Sequence, residues 1–112
     1  MKIIKKSHTT FVREDAHGGS GGRKLLLADN EMKNVQGMTQ GFLPAGATFE
    51  WHMHEKMNEV MFVLKGQGTV RDEDGTYPYV SGDVFVFPQG VFHEIKNTSN
   101  EEHEYIFVRI YE

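Results

Sequence analysis

Two histidines and a nearby glutamate stand out in the segment EWHMHEKMNEV, residues 50–60. His52 and His54 are two positions apart, so in a β-strand their side chains project from one face, about 6.6 Å apart along the strand. Two imidazoles at that separation can converge on one cation, with each nitrogen about 2.1 Å from it. Glu59 follows a short connection and can fold back toward the pair. The segment alone fits a metal site and a polar surface hairpin equally well.

The sequence around this segment is typical of short β-strands. Apolar residues recur at period two in short runs, which glycine, proline or Asn/Asp clusters interrupt. The DEDG segment, 72–75, ends in Asp74-Gly75, a strong β-hairpin signal. Short strands at this spacing indicate a sandwich or a barrel. The predicted strands are 8–13, 24–28, 34–43, 47–54, 58–65, 68–73, 76–80, 83–88, 91–97 and 103–111.

The composition of the chain narrows the class of protein. Its 112 residues suffice for one domain, and the formal charge of −4 argues against nucleic acid as a partner, because phosphate binding needs clustered Lys and Arg. There is no cysteine, so any metal must be held by nitrogen and oxygen ligands. The opening MKIIKK has no apolar signal segment behind it, and no run approaches the roughly 20 apolar residues of a membrane span. We therefore expect a cytoplasmic protein that does not bind membranes.

The glycine-rich segment HGGSGGRK, 17–24, has only a superficial likeness to a phosphate-binding loop. Its glycine-to-lysine spacing is wrong for that motif, no Ser or Thr follows the lysine, and no helix is predicted there. We interpret the segment as a surface connection between strands.

A second group of marked residues follows later in the chain, and the two groups together resemble the two motifs of the cupin superfamily. The first motif covers 46–66 and is matched by Gly46-ATFEW-His52-Met53-His54-EKMN-Glu59-VMFVLK-Gly66. The second covers 82–97 and is matched by Gly82-DVFVF-Pro88-Gln89-Gly90-VF-His93-EIK-Asn97. The resemblance implies an all-β fold, the double-stranded β-helix or jelly-roll barrel, as a single cupin domain over residues 1–112.

The resemblance also implies a metal site, whose ligands would be His52, His54, Glu59 and His93. Three neutral imidazoles and one carboxylate suit one divalent transition metal, namely Fe, Mn, Ni, Cu, Co or Zn. Four protein ligands leave one or two positions open for a small-molecule substrate or for O₂. We expect Asn97 to stabilise a turn rather than to bind the metal. Small cupins that resemble this chain are often homodimers, so a homodimer is expected.

Strand alternation gives a first description of the pocket around these ligands. It places Glu50 on the face of the histidines, where it is the candidate general base, and it also places Met61, Val63 and Ile95 inward. It places Phe49, Trp51 and Met53 outward, as an apolar stripe that N-terminal strands or a second subunit would cover.

The last strand can face the barrel with either side. We favour the face of Ile106, Val108 and Ile110 as core, which leaves Arg109 in solvent. The alternative is that Arg109 faces the pocket and binds a substrate carboxylate. Met38 and Gln40 are further, weaker pocket candidates. His8, His17 and His103 lie outside both motifs, without a partner at ligand spacing, and are expected on the surface.

Three functions are open for such a site. The first is a small metalloenzyme of dioxygenase type, acting on a small oxygen-rich substrate. The second is a non-redox isomerase, lyase or decarboxylase acting on a sugar or on a hydroxy or keto acid. The third is a module that binds or senses a small ligand without turnover. We expect an enzyme, with the dioxygenase type as the first choice.

Overall fold

The computed structural model describes residues 2–16 and 21–112, which form two antiparallel β-sheets that pack against each other. One sheet has six strands in the order β1-β2-β3-β10-β5-β8, and the other has four in the order β4-β9-β6-β7. The prediction of an all-β fold is therefore confirmed. The strands are β1 Glu14–Ala16, β2 Gly21–Leu27, β3 Val35–Leu43, β4 Thr48–His52, β5 Met57–Lys65, β6 Gly68–Arg71, β7 Thr76–Tyr79, β8 Val84–Phe87, β9 His93–Lys96 and β10 His103–Tyr111.

The core lies between the two sheets and takes alternate residues from each strand, as the period-two pattern requires. Met61 and Val63 of β5 are fully buried, and Ile95 of β9 is 1% exposed, which confirms their predicted inward orientation. Aromatic rings fill much of the space between the sheets, and burial of each large apolar side chain stabilises the fold by about 1.5–3 kcal/mol. The buried cluster is Leu43, Phe49, Met61, Val63, Val70, Tyr79, Phe87, Ile95, Tyr105 and Phe107.

The orientation of β10 is the reverse of the favoured prediction. Tyr105 pairs with Val63 of β5, and Phe107 pairs with Met61. Directly paired residues share a face of the sheet, so the two aromatic residues lie inside, at 0% and 7% exposure. Ile110, on the face that we favoured as core, is 39% exposed. The prediction was wrong because either face of this strand is apolar, and only the register with β5 decides between them.

The beginning of the chain also differs from the prediction. Residues 8–13 do not form a strand: His8–Thr10 is a 3-10 turn, in which the Ser7 hydroxyl accepts a hydrogen bond from the Thr9 amide. Local bonds of this kind compete with strand pairing in Ser/Thr-rich segments. Within the glycine-rich segment, residues 21–24 belong to β2 rather than to a connection. Residues 17–20, including His17, lie outside the described residues, and His8 is exposed as predicted.

The turns follow the motif glycines and the DEDG signal. Gly46, Gly66 and Gly82 have φ values of 72°, 119° and 95°, in the region that favours glycine. The DEDG segment connects the β6–β7 hairpin, and the Asp72 side chain accepts hydrogen bonds from the amides of Asp74 and Gly75. Gly66 is also required by packing, because a Cβ at this position would overlap the imidazole ring of His103.

Among the described residues, no helix is long and apolar enough to cross a membrane.

Candidate metal centre

Strands from both sheets bring the four predicted ligands together. His52 ends β4 and pairs directly with His93, which begins β9, so their rings lie 4.4 Å apart between centroids. His54 follows β4 after one residue, and Glu59 comes from β5 of the opposite sheet. One ligand atom from each of these four side chains lies within 4.8 Å of all the others. The structure therefore places all four residues in one cluster that could hold a metal ion.

A β-bulge in β4 decides which side chains face this cluster. Phe49 pairs with Ile95 and His52 pairs with His93, so β4 contains one residue more than β9 over the same distance. The extra residue turns both Phe49 and His52 inward, and Phe49 is only 2% exposed. Glu50 and Trp51 are consequently exposed. The prediction that Glu50 faces the cluster and Phe49 faces outward was wrong, because simple alternation does not continue through a bulge.

The backbone fixes the orientation and the tautomer of two of the imidazoles. His52 Nδ1 donates to the carbonyl oxygen of Glu50 at 2.6 Å, and His93 Nδ1 donates to that of Val91 at 3.0 Å. A carbonyl can only accept, so both rings carry their hydrogen on Nδ1 and direct the lone pair of Nε2 toward the cluster. Burial lowers the pKa of His52 below its ordinary value, which favours the neutral ring that binds metals.

His93 provides the strongest test of whether a cation fits. Its side chain is 1% exposed and stacks on the ring of Phe87 at 3.9 Å between centroids. Nε2 of this ring is buried and has no hydrogen-bond partner among the described residues. Buried polar atoms without a partner are rare in folded proteins, because the lost hydration is not replaced. A metal ion coordinated by this nitrogen would remove the deficit, so the donor set and its surroundings fit a metal.

Glu59 has different partners for its two carboxylate oxygens. Oε1 lies 3.2 Å from Nε2 of His54 and 3.7 Å from Nε2 of His93, whereas Oε2 lies 3.4 Å from Nη1 of Arg109. Burial on its own would raise the pKa of Glu59. The hydrogen bond to His54, the adjacent imidazole of His93 and the positive charge of Arg109 together outweigh burial and lower the pKa to about 2. The carboxylate is thus ionised, as a metal ligand must be.

The cluster opens onto a cavity of about 330 Å³ between the sheets. One part of its lining is apolar and includes Phe49, Ile95 and Phe107. A second part, the polar wall, is formed by Arg23, Gln36, Thr39 and Arg109, and sequence reasoning missed most of it. Thr39 could have been identified only from its direct pairing with Phe107, and this pairing is known from the sheet register rather than from the sequence.

Arg109, Gln40 and Met38, the further pocket candidates from the sequence, do not all line the cavity. Arg109 lines the cavity and its side chain is 14% exposed, so the favoured prediction of a solvated side chain was wrong. Gln40 donates to Glu104 at 3.3 Å instead of facing the cavity, and Met38 does not line it either. Both predictions failed because the inward positions near the middle of β3 are Thr39 and Gly41.

Two further polar residues, Asn97 and His103, stabilise the fold away from this cavity. Asn97, 1% exposed, donates to the carbonyl oxygens of Leu43, Pro44 and Glu101, which confirms a role in holding a turn. His103 was predicted on the surface but is also 1% exposed. Its Nδ1 lies 2.8 Å from the Tyr79 hydroxyl, and its Nε2 accepts from the Gln67 amide at 3.2 Å. His103 is buried because β10 pairs along its whole length and carries it into the core.

The fold and this cluster define a class of protein, a two-sheet β-barrel with a three-histidine, one-glutamate site that could hold a metal. The chain belongs to the cupin domain family, whose model matches residues 40–109. The neighbouring structures below confirm the predicted jelly-roll fold.

Two relatives resemble the chain along most of its length. The oxalate-binding protein of Thermotoga maritima is 30% identical over 112 residues, which cover 96% of this chain and 93% of the relative. An uncharacterized protein of Methanocaldococcus jannaschii is 29% identical over 100 residues, which cover 89% of this chain and 80% of the relative.

Solved structures also resemble the chain along most of its length. A predicted oxalate decarboxylase from Thermotoga maritima has a TM-score of 0.81 and 28% identity, with 99% of this chain and all of the other chain covered. A sugar phosphate isomerase of the cupin superfamily from Silicibacter pomeroyi has a TM-score of 0.82 at 19% identity, with 97% and 76% covered. The second similarity concerns the fold alone.

Proposed function

We propose that this cupin is a small metalloenzyme that acts on a small carboxylate at the His52, His54, Glu59 and His93 cluster. One observation carries the proposal: three imidazoles and an ionised carboxylate converge at a cavity, and one of those imidazoles has a buried nitrogen without a partner among the described residues. A bound divalent metal would supply Lewis acidity and, if redox-active, a route to O₂ chemistry.

The side chains of the chain itself would prepare this site. The carbonyls of Glu50 and Val91 hold two imidazoles in the metal-binding tautomer, so little reorganisation is needed on binding. Phe49, Ile95 and Phe107 form an apolar wall that limits access of bulk water to the ligand. Arg109 adds a positive charge at the polar wall, which favours an anionic ligand over a neutral one.

Three functions are candidates at this site, two reactions and one form of binding without reaction. Dioxygenase-type oxidation is the reaction that we expected from the sequence. Non-redox decarboxylation is the second candidate. It is supported by a relative, 30% identical to this chain, that is named an oxalate-binding protein, and by a solved structure, 28% identical, of a predicted oxalate decarboxylase. Binding without turnover is the third, and the name of the first relative also supports it.

The test begins with metal analysis of full-length protein purified without chelators or a nickel resin. Metal-free protein is then loaded separately with Mn²⁺, Fe²⁺ or Zn²⁺, and O₂ consumption and CO₂ release are measured with oxalate and with 2-oxo acids. O₂ consumption by the Fe²⁺ form supports the dioxygenase, whereas CO₂ release without O₂ consumption supports the decarboxylase. Metal-dependent binding of a carboxylate without either product supports the binding module. Failure to bind any of these metals contradicts the proposal as a whole.

We also propose that the protein is a homodimer and is located in the cytoplasm. The outer face of the six-stranded sheet supports the dimer, because Phe62, Leu64, Val84 and Val86 are exposed on neighbouring strands. The location rests on the sequence expectation, and fractionation of cells that express the native protein tests it.

A further inference from the structure

Arg109 is held at the polar wall of the cavity by strand β3. Its Nε donates to Gln36 Oε1 at 2.6 Å, and its Nη1 donates to Thr39 Oγ1 at 3.2 Å. Gly37 pairs directly with Arg109, and a Cβ at Gly37 would lie 2.9 Å from Nη2. The absence of a side chain at Gly37 therefore gives the guanidinium its space. These contacts fix a long, otherwise flexible side chain in one orientation.

The same guanidinium borders the metal cluster through Glu59. Arg109 and Glu59 are directly paired residues of β10 and β5, and Nη1 lies 3.4 Å from Glu59 Oε2. Charge-assisted hydrogen bonds of this type are normally about 2.7–2.9 Å long, so this contact is loose. Nη2 makes no hydrogen bond within the described part of the chain. The guanidinium thus has donor capacity beside the cluster that its present partners do not use.

The charges around the cavity favour a dianion. Glu59 is the acidic residue in the described lining, and Arg109 alone neutralises it. A second arginine of the lining, Arg23, is half exposed and pairs with Glu14 at 3.0 Å, so its charge is largely compensated. A divalent cation at the cluster would leave two uncompensated positive charges. A monocarboxylate would neutralise only one of them.

We infer that Arg109 is the second anchoring point for the ligand and that the ligand is a small dicarboxylate. One carboxylate would lie at the metal cluster, and the other would take the donors of the Arg109 guanidinium. This inference rests on the proposed function, because it needs a metal-dependent anion site. The competing role is that Arg109 only positions Glu59 as a metal ligand, in which case it would influence the metal rather than the choice of anion.

The two roles differ in what substitution of Arg109 changes. Metal-free full-length protein is titrated with Mn²⁺, and the Mn²⁺-loaded protein is then titrated calorimetrically with oxalate, malonate and acetate. We expect R109Q to weaken binding of the better dicarboxylate about tenfold or more, because a charged partner is lost. Acetate and Mn²⁺ affinities should change less than about threefold. R109K should bind the dicarboxylate with intermediate affinity, because it keeps the charge but loses the planar fork.

The matched control is R71Q, which also removes one positive charge. Arg71 pairs with Glu94, lies over the ring of Trp51 and is not part of the cavity lining. The R71Q variant should bind the dicarboxylates like the wild type. Thermal unfolding shows which variants are folded, and R109K decides the question if R109Q does not fold.

The outcomes separate the inference from the proposed function. Wild-type protein that binds no Mn²⁺, or no carboxylate, contradicts both. Wild-type protein that binds a dicarboxylate no better than acetate, or R109Q and R109K that bind it like the wild type, overturns only the inference. Equal losses of Mn²⁺ and dicarboxylate affinity also overturn it and assign Arg109 the positioning role.

Discussion

Glu59 is both a candidate metal ligand and a contributor to the stability of the fold. It is 4% exposed, and a buried carboxylate without partners would be neutral rather than charged. Its partners lower its pKa to about 2, so it is ionised at every physiological pH. Metal binding therefore needs no proton release from this ligand, and competition between protons and metal is left to the imidazoles. Because this pKa lies below the unfolded value of about 4.3, Glu59 stabilises the fold above that pH, and the contribution is lost as pH falls toward 2.

Glu59→Gln tests the charge of this ligand with little change in shape. We expect Mn²⁺ affinity to fall by about 100-fold or more, because an anionic ligand becomes a neutral amide and Arg109 loses its partner. The measurement is calorimetric titration of metal-free protein. Glu55→Gln is the matched control, since Glu55 is an exposed residue outside the cluster and should bind Mn²⁺ like the wild type. Equal affinity of the two variants would exclude Glu59 as a ligand.

The imidazole ligands give a second prediction at this scale. His54→Ala and His93→Ala should each lose the bound metal while the barrel stays folded, because neither histidine belongs to the hydrophobic cluster between the sheets. Truncation of buried His93 should also lower the free energy of unfolding by about 1–3 kcal/mol. Metal content by mass spectrometry and circular dichroism check the two parts. His8→Ala, at an exposed position, is the control, and full metal content in both site variants would refute the ligand assignment.

At the scale of the elements, the sequence predicted most strands but not which face of each is buried. Strand positions follow from alternation and from glycine at turns, which are local signals, and the ligand spacing is itself a sequence motif. The faces of β4 and β10 depend on a bulge and on a register with β5, which arise from pairing with distant strands. Glu50 and Arg109 were therefore assigned to the wrong sides, whereas His52, Glu59 and His93 were placed correctly in the cluster.

The β5–β6 turn offers a test of packing between elements. Gly66→Ala should lower the free energy of unfolding by about 2–4 kcal/mol, because the new Cβ would displace the His103 ring and its hydrogen bonds to Gln67 and Tyr79. The matched control is Gly46→Ala, since Gly46 also has a positive φ but no atom within 4 Å of a Cβ. It should cost only the backbone strain of about 1 kcal/mol. Urea unfolding measures both, and equal costs would mean that His103 packing contributes nothing at this turn.

At the scale of the whole molecule, apolar residues are unevenly distributed over the surface. The outer face of the six-stranded sheet has Val86 paired with Val60 and Val84 paired with Phe62 on adjacent strands, and Val84 and Val86 are 58% and 63% exposed. Ile106 of β10 pairs with Phe62 and extends this face. A contiguous apolar face of this kind is costly in water and suits a self-complementary contact with a second copy.

Substitutions on this face test the proposed homodimer. The wild type should have the mass of a dimer in light scattering, and the double variant Phe62→Lys, Val86→Lys should have that of a monomer, because burial of unpaired lysine charges in the contact is costly. Tyr77→Lys is the control on the four-stranded sheet, where Tyr77 is also exposed, and it should stay dimeric. A monomeric wild type, or a double variant that stays dimeric, would contradict the proposal.

The bulge in β4 has a consequence for comparing this chain with more distant sequences. Between Phe49 and His52 the strand contains an additional residue that exchanges interior and exterior positions. Deletion of one residue there would still permit hydrogen bonding between β4 and β9. It would, however, turn either Phe49 of the cavity lining or His52 of the cluster toward solvent. The motif length before His52 is thus a structural constraint, and an alignment gap at this point would separate chains that share the barrel from chains that also share its metal cluster.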